Sequence, residues 1–141
     1  MSGLSLKSLS RGGGLLGSLD PSVVVLIVVV LAVVGLFLMK RLTMVPTDKA
    51  RQMLARGGVV IDVRSASEYA SDHLPQAVNI PINELADKIG KAVPDKSTPV
   101  LLHCLSGSRS AAGCNTLRDL GYTEVENLGS LGRARQVVGG K

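Results

Sequence analysis

The sequence predicts an α/β domain, a parallel β-sheet flanked by helices on both faces, preceded by one transmembrane helix. Three observations carry this. Short apolar runs without polar alternation, at residues 59–63 and 99–102, suit strands buried on both faces. Segments with helical pattern and capping chemistry lie between such runs, which implies parallel pairing through helical crossovers. Upstream, residues 23–39 hold 17 positions without a charge, about 25 Å of helix at ~1.5 Å per residue.

Residues 1–20 are Ser-, Gly- and Leu-rich without periodicity and read as a flexible tail. Residues 21–41 read as the transmembrane helix, with lipid bilayer contact over residues 22–39. A bilayer core of about 30 Å takes roughly 17–25 residues. Asp20-Pro21 mark one end, and Lys40 and Arg41 snorkel at the other. A cleaved signal peptide fits less well, because its apolar core runs about 7–15 residues and ends in small residues, whereas this run ends Leu38-Met39-Lys40-Arg41-Leu42.

Residues 42–141 form the expected domain. Thr47 is positioned to cap a helix over 48–55, stopped by Gly57-Gly58. A strand follows at 59–63. Ser65 with Glu68 three residues on fits a capping box for a helix through Ser71. Residues 77–80 read as a strand, Pro81 as a break, 83–89 as a helix and 99–103 as the strand feeding a loop. A helix starts at Ser108 or Arg109 and ends at Leu120 with Gly121 beyond it; 124–128 is the last strand, and the chain after Arg133 is expected to pack loosely.

The formal net charge of +5 resembles that of a nucleic-acid binder, but most of it flanks the apolar run. From Leu42 onward 12 Lys and Arg face 10 Asp and Glu, and the domain's aromatics are Tyr69 and Tyr122 alone, so a basic stripe and base stacking are both excluded. Two cysteines, Cys104 and Cys114, are too few for a structural zinc site and too far apart for Cys-x-x-Cys chemistry.

Residues 103–110 read His-Cys-Leu-Ser-Gly-Ser-Arg-Ser, which puts Cys104 where a strand hands over to a helix. Turn amides, the positive end of the following helix and Arg109 all favour a thiolate there, so Cys104 is the candidate nucleophile. Cys114 suits a small buried core position, with a resolving thiol as the sharper alternative. Asp62 is expected to accept backbone or Arg hydrogen bonds that hold a strand end, and Arg64 stands either as that partner or as a rim cation. His103 alternates away from Cys104 along its strand, and His73 is expected beside Pro75; neither is placed for a Cys-His dyad.

Asp62-Val63-Arg64, Glu68-Tyr69, His73-Leu74-Pro75, Ala77-Val78-Asn79-Ile80-Pro81, Cys104-x-x-Gly107-x-Arg109-Ser110, Gly121-Tyr122 and Asn127-Leu128, in this order over residues 44–132, resemble a single-domain rhodanese. The resemblance implies a sulfurtransferase: Cys104 would take a sulfane sulfur from a donor (thiosulfate, a polysulfide or a persulfidated protein), hold it as a persulfide, and pass it to a thiophilic acceptor such as a thiol or cyanide. The loop of Leu105, Ser106, Gly107, Ser108 and Arg109 would cradle that anion through its amides, the Ser106 and Ser108 hydroxyls and the Arg109 guanidinium. Gly107 would permit a turn that a Cβ obstructs, and Arg109 would fix the loop by bonding carbonyls as well as by charge. The resemblance implies no metal or organic cofactor.

Leu105, Ser106 and Ser108 stand where thiosulfate-using relatives often carry a cation, which favours a polysulfide or protein persulfide donor. A related phosphatase fold uses Cys-x5-Arg, whereas four residues separate Cys104 from Arg109, a tighter cradle suited to one sulfur. A membrane-tethered relay or docking module without robust turnover is the other alternative. The domain also has no Trp after its last glycines, where many relatives do.

Lys40, Arg41, Lys49, Arg51 and Arg56 follow the apolar run, against Lys7 and Arg11 before it, so the denser positive side and the domain are predicted to be cytoplasmic. Protease added to intact spheroplasts should leave the domain uncut. Digestion without lysis would reverse the orientation.

Overall fold

The chain's structure, a computed structural model, describes residues 20–140. The expected tail therefore lies, apart from Asp20, outside the described residues. The chain divides into two compact units between Phe37 and Leu38.

Helix α1 spans Pro21–Leu42. Asp20 starts it: its Oδ1 accepts from the Ser22 amide at 2.9 Å, and Pro21 occupies the first helical position, where a missing N–H costs nothing. The segment Pro21–Met39 has a mean hydropathy of 3.3 and none of it is buried, so it is long and apolar enough to cross a membrane.

In the second unit, four parallel strands lie in the order β2-β1-β3-β4: β1 Val59–Asp62, β2 Ala77–Asn79, β3 Val100–Cys104 and β4 Val125–Ser130. Every residue of β3 is buried, as expected of a central strand covered on both sides. Its side chains alternate. Val100, Leu102 and Cys104 join Ile61 in one core cluster with α4 (Leu85–Ala92) and α5 (Ser108–Asp119), while Leu101 joins Val60 in another with α2 (Thr47–Ala55) and α6 (Leu131–Val138). Because all strands run the same way, β1, β3 and β4 present their carboxyl ends on one edge, the edge at which α/β sheets bind ligands.

The capping box forms as the spacing predicts. The Ser65 hydroxyl accepts from the Glu68 amide, and the Glu68 carboxylate accepts from the Ser65 amide at 2.9 Å, opening α3 (Ala66–Ser71). Gly121, at φ +94°, ends α5 as expected.

Three expectations need correction. Thr47 does not cap α2; it is the first helical residue, Pro46 precedes it, and no side chain caps this end. The helix expected at 83–89 forms but with other bounds: a 3₁₀ turn, Ile82–Glu84, opens it and α4 carries it on to Ala92. The chain after Arg133 is not loose. Ser130 Oγ accepts from the Arg133 amide and opens α6, whose Leu131, Ala134 and Val137 are buried at the spacing of one helical face. Gly132 and the scarcity of apolar residues concealed that face. Val137→Asp should therefore lower the unfolding free energy by about 3 kcal/mol or more, read by denaturant titration of the detergent-solubilised chain. A change below about 1 kcal/mol would mean that α6 is dispensable.

Candidate active site

The loop between β3 and α5 is built around one sulfur. Cys104 ends β3 with no solvent exposure, and the chain turns back over it so that the Gly107 amide donates to Sγ at 3.0 Å. That turn requires Gly107 at φ +94°, a conformation that L side chains rarely adopt. Ser110 Oγ stands 3.6 Å from the same sulfur.

Burial raises the Cys104 pKa, but the amide and hydroxyl of Ser110 and the amides of Ser106 and Gly107 outweigh it, leaving the thiol below its ordinary value. Cys114 has no such donors. Burial pushes its thiol up to about 12, as the core reading expects.

Buried polar groups fix the loop. Asn127 Oδ1 accepts from Ser110 Oγ at 2.7 Å and from the Gly129 amide at 2.8 Å, while its Nδ2 donates to the Gly107 carbonyl at 3.1 Å. Asn127 thus ties the loop to the irregular end of β4, where the register with β3 shifts between Leu102 and His103. The Ser110 hydroxyl has a single proton and three acceptors in reach: Asn127 Oδ1, the Gly107 carbonyl and Sγ. With the Gly129 amide still on Asn127 Oδ1, that proton can turn to the sulfur without orphaning the oxygen.

Arg109 acts by charge, but on a partner that the sequence did not indicate. Instead of bonding loop carbonyls, its guanidinium makes a two-pronged ion pair with Glu68, at 2.8 and 2.9 Å, across to the capping box of α3. Hydrogen bonds from Arg109 and then from Ser65 hold the Glu68 carboxyl well below the usual carboxylate range. Arg109 is raised in turn, chiefly by Glu68 and lastly by Cys104. Beside this pair opens a cleft walled by Val63, Ala66, Pro81, Ile82 and Arg109. The Ser106 and Ser108 hydroxyls bond each other on the exposed outside of the loop, and Leu105 is 61% exposed at its tip.

Asp62 and Arg64 reach the same sheet edge but not the sulfur. Arg64 is buried, not at the rim: its Nε and Nη2 grip the Asp62 carboxylate at 3.0 and 2.6 Å, and Nη2 also donates to the Asp72 carbonyl. Through the Asp72 carbonyl the pair holds the strand end onto the C-terminal end of α3. His103 lies on that side of the sheet, its Nε2 3.6 Å from Asp62 Oδ2, and burial pushes its pKa down. His73 stacks on Tyr69, with ring centroids 4.0 Å apart.

Residues 46–130 match the rhodanese-like domain family. The chain belongs to that family. It is 42% identical over 71 residues to the thiosulfate sulfurtransferase PspE of Escherichia coli K12, a match covering 50% of this chain and 68% of that protein. Identity to the thiosulfate sulfurtransferase GlpE of Pseudomonas savastanoi is 31% over 84 residues, covering 60% and 77%. Among solved structures, a rhodanese with anions from E. coli superposes with a TM-score of 0.53 at 39% identity over 54% of this chain and 89% of that one. The human single-domain sulfurtransferase TSTD1 superposes at 0.54, with 27% identity over 70% and 97%. The chain is a rhodanese-like sulfurtransferase.

Within this rhodanese-like domain, Glu68, Ser110 and Asn127 surround the loop, although residue-level reasoning gave none of them a place there. Each stands in the motif series that carries the resemblance, and the capping box had already absorbed Glu68. Ser110→Ala should raise the midpoint of Cys104 alkylation with pH, since it removes the hydroxyl and leaves the amides. Glu68→Gln should lower the midpoint by leaving the Arg109 charge uncompensated. Peptide mass mapping after iodoacetamide at a series of pH values reads both, and shifts of the opposite sign would contradict this electrostatic reading.

Proposed function

We propose that this sulfurtransferase works through a Cys104 persulfide. The Cys104 thiolate attacks the sulfane sulfur of a donor R–S–S⁻, forming a new S–S bond as the old one breaks and R–S⁻ leaves. An acceptor thiolate or cyanide then attacks the outer sulfur, and Cys104 departs again as thiolate. Each step displaces one sulfur anion by another nucleophile, so electrons balance with no oxidant, metal or organic cofactor. The observation carrying this reading is the Gly107 amide 3.0 Å from a buried Sγ, backed by the Ser106 and Ser110 amides and the Ser110 hydroxyl.

The donor that fits is a polysulfide or a protein persulfide. The two relatives above are named for thiosulfate, and that name would carry over if the loop were cationic. Here Leu105, Ser106 and Ser108 are uncharged and Glu68 offsets Arg109, so little net positive charge faces a dianion. The exposed Leu105 at the loop tip adds an apolar foothold that suits a protein surface.

The helix Pro21–Met39 supports a single-pass membrane tether over residues 21–41, with the domain of residues 42–141 on the cytoplasmic side. Donor and acceptor are then met near the membrane.

Intact-mass spectrometry of the full chain after exposure to polysulfide, a persulfidated protein or thiosulfate should show the gain of one sulfur on Cys104, with thiosulfate needing the highest concentration. Cys104→Ser should abolish both the adduct and turnover. A chain that turns over donor without Cys104, or gains no sulfur from any of the three, contradicts the mechanism.

A further inference from the structure

The connector between α1 and α2, residues 43–46, is only four residues long, and its first three residues, Met44 among them, precede the stretch matched to the family. Its side chains and backbone nonetheless reach the loop that carries Cys104. A Cβ placed on Gly107 would stand 3.1 Å from Met44 Cε and 3.2 Å from Gly129 Cα. One placed on Gly129 would stand 2.8 Å from Met44 Sδ. The half-buried Met44 side chain therefore fills the space that these two glycines, at φ +94° and +89°, leave open behind the loop.

The backbone makes a second link. The Val45 amide donates to the Asn127 carbonyl at 2.9 Å, and Arg133 clamps the carbonyls of Val45 and Leu128. Asn127 is the residue whose side chain holds the Gly107 carbonyl, the Ser110 hydroxyl and the Gly129 amide. Behind the loop, then, stand one flexible thioether and one asparagine, and the connector supplies or grips both.

We infer that Met44 is a positioning residue for the Cys104 loop, so that the segment leading out of the apolar helix forms the back wall of the sulfur-binding cradle. Gly107 lacks a Cβ to anchor it and is the residue type with the widest backbone freedom. What keeps its amide on Sγ is packing from behind, and an unbranched thioether conforms to such an irregular gap. Emptying the gap lets the peptide shift, and a shift of a few tenths of an ångström lengthens the bond that stabilises the thiolate.

This inference rests on the proposed role of Cys104, and its test does not use sulfur transfer. In the full chain in detergent, Met44→Ala should move the pH midpoint of iodoacetamide alkylation at Cys104 upward by about half a unit. Alkylation at neutral pH then slows about threefold, the thiolate fraction lost with such a shift. Met44→Leu, which keeps the bulk, should retain the wild-type profile. A role in stability alone would change the melting temperature of Met44→Ala and leave its profile in place, and an unshifted profile overturns the inference. Should Met44→Ala fail to fold, Met44→Val is read by the same criterion. A wild-type chain that takes up no sulfur would refute the persulfide reading while leaving this comparison of thiol profiles valid.

Discussion

A sulfur atom with no access to water can carry negative charge only if the protein supplies the donors that water would have given. An unpartnered buried charge costs several kcal/mol, which would hold the thiol protonated and unreactive. The Gly107 amide, the amides of Ser106 and Ser110 and the Ser110 hydroxyl meet that requirement around Cys104. Cys114 is the internal control: the same side chain in the same core cluster, without donors, is pushed in the opposite direction. Position in the fold separates the two thiols, since only Cys104 ends a strand where the following helix begins.

The rest of the domain can be understood as what holds those donors still. Parallel pairing brings the ends of β1, β3 and β4 to one edge, and the irregular end of β4 aims Asn127 into the loop. Glu68 and Arg109 latch the start of α5 to the start of α3 from the other side. The latch consumes charge that would otherwise attract an anionic donor, so loop closure and the proposed donor preference are two consequences of one ion pair. Asp62 and Arg64 perform the matching structural task at the end of β1, turned away from the sulfur.

The strand-to-helix placement of Cys104, the left-handed glycine and the capping box were legible because each is a local rule: period, turn geometry and hydrogen bonds three residues apart. The parallel sheet followed from apolar runs alternating with helical segments. Arg109 was legible as part of the loop but not by partner, because Glu68 lies 41 positions earlier and nothing local joins them. The choice for Arg64 between strand-end partner and rim cation likewise needed its burial. Helix α6 was hidden by Gly132 and by an apolar face of only Leu131, Ala134 and Val137. Met44 was illegible for a different reason, since its importance lies in filling the absence of two side chains far along the chain.

The claim on which the mechanism depends is that Cys104 ionises readily inside this cradle. Ultraviolet absorbance of the thiolate, followed against pH in the Cys114→Ala chain, measures it without any substrate. The account predicts a midpoint clearly below that of free cysteine, about 8.5, and its upward movement in the Ser110→Ala background. A midpoint at or above the free value would mean that burial outweighs the donors, and the cradle could not be what activates Cys104.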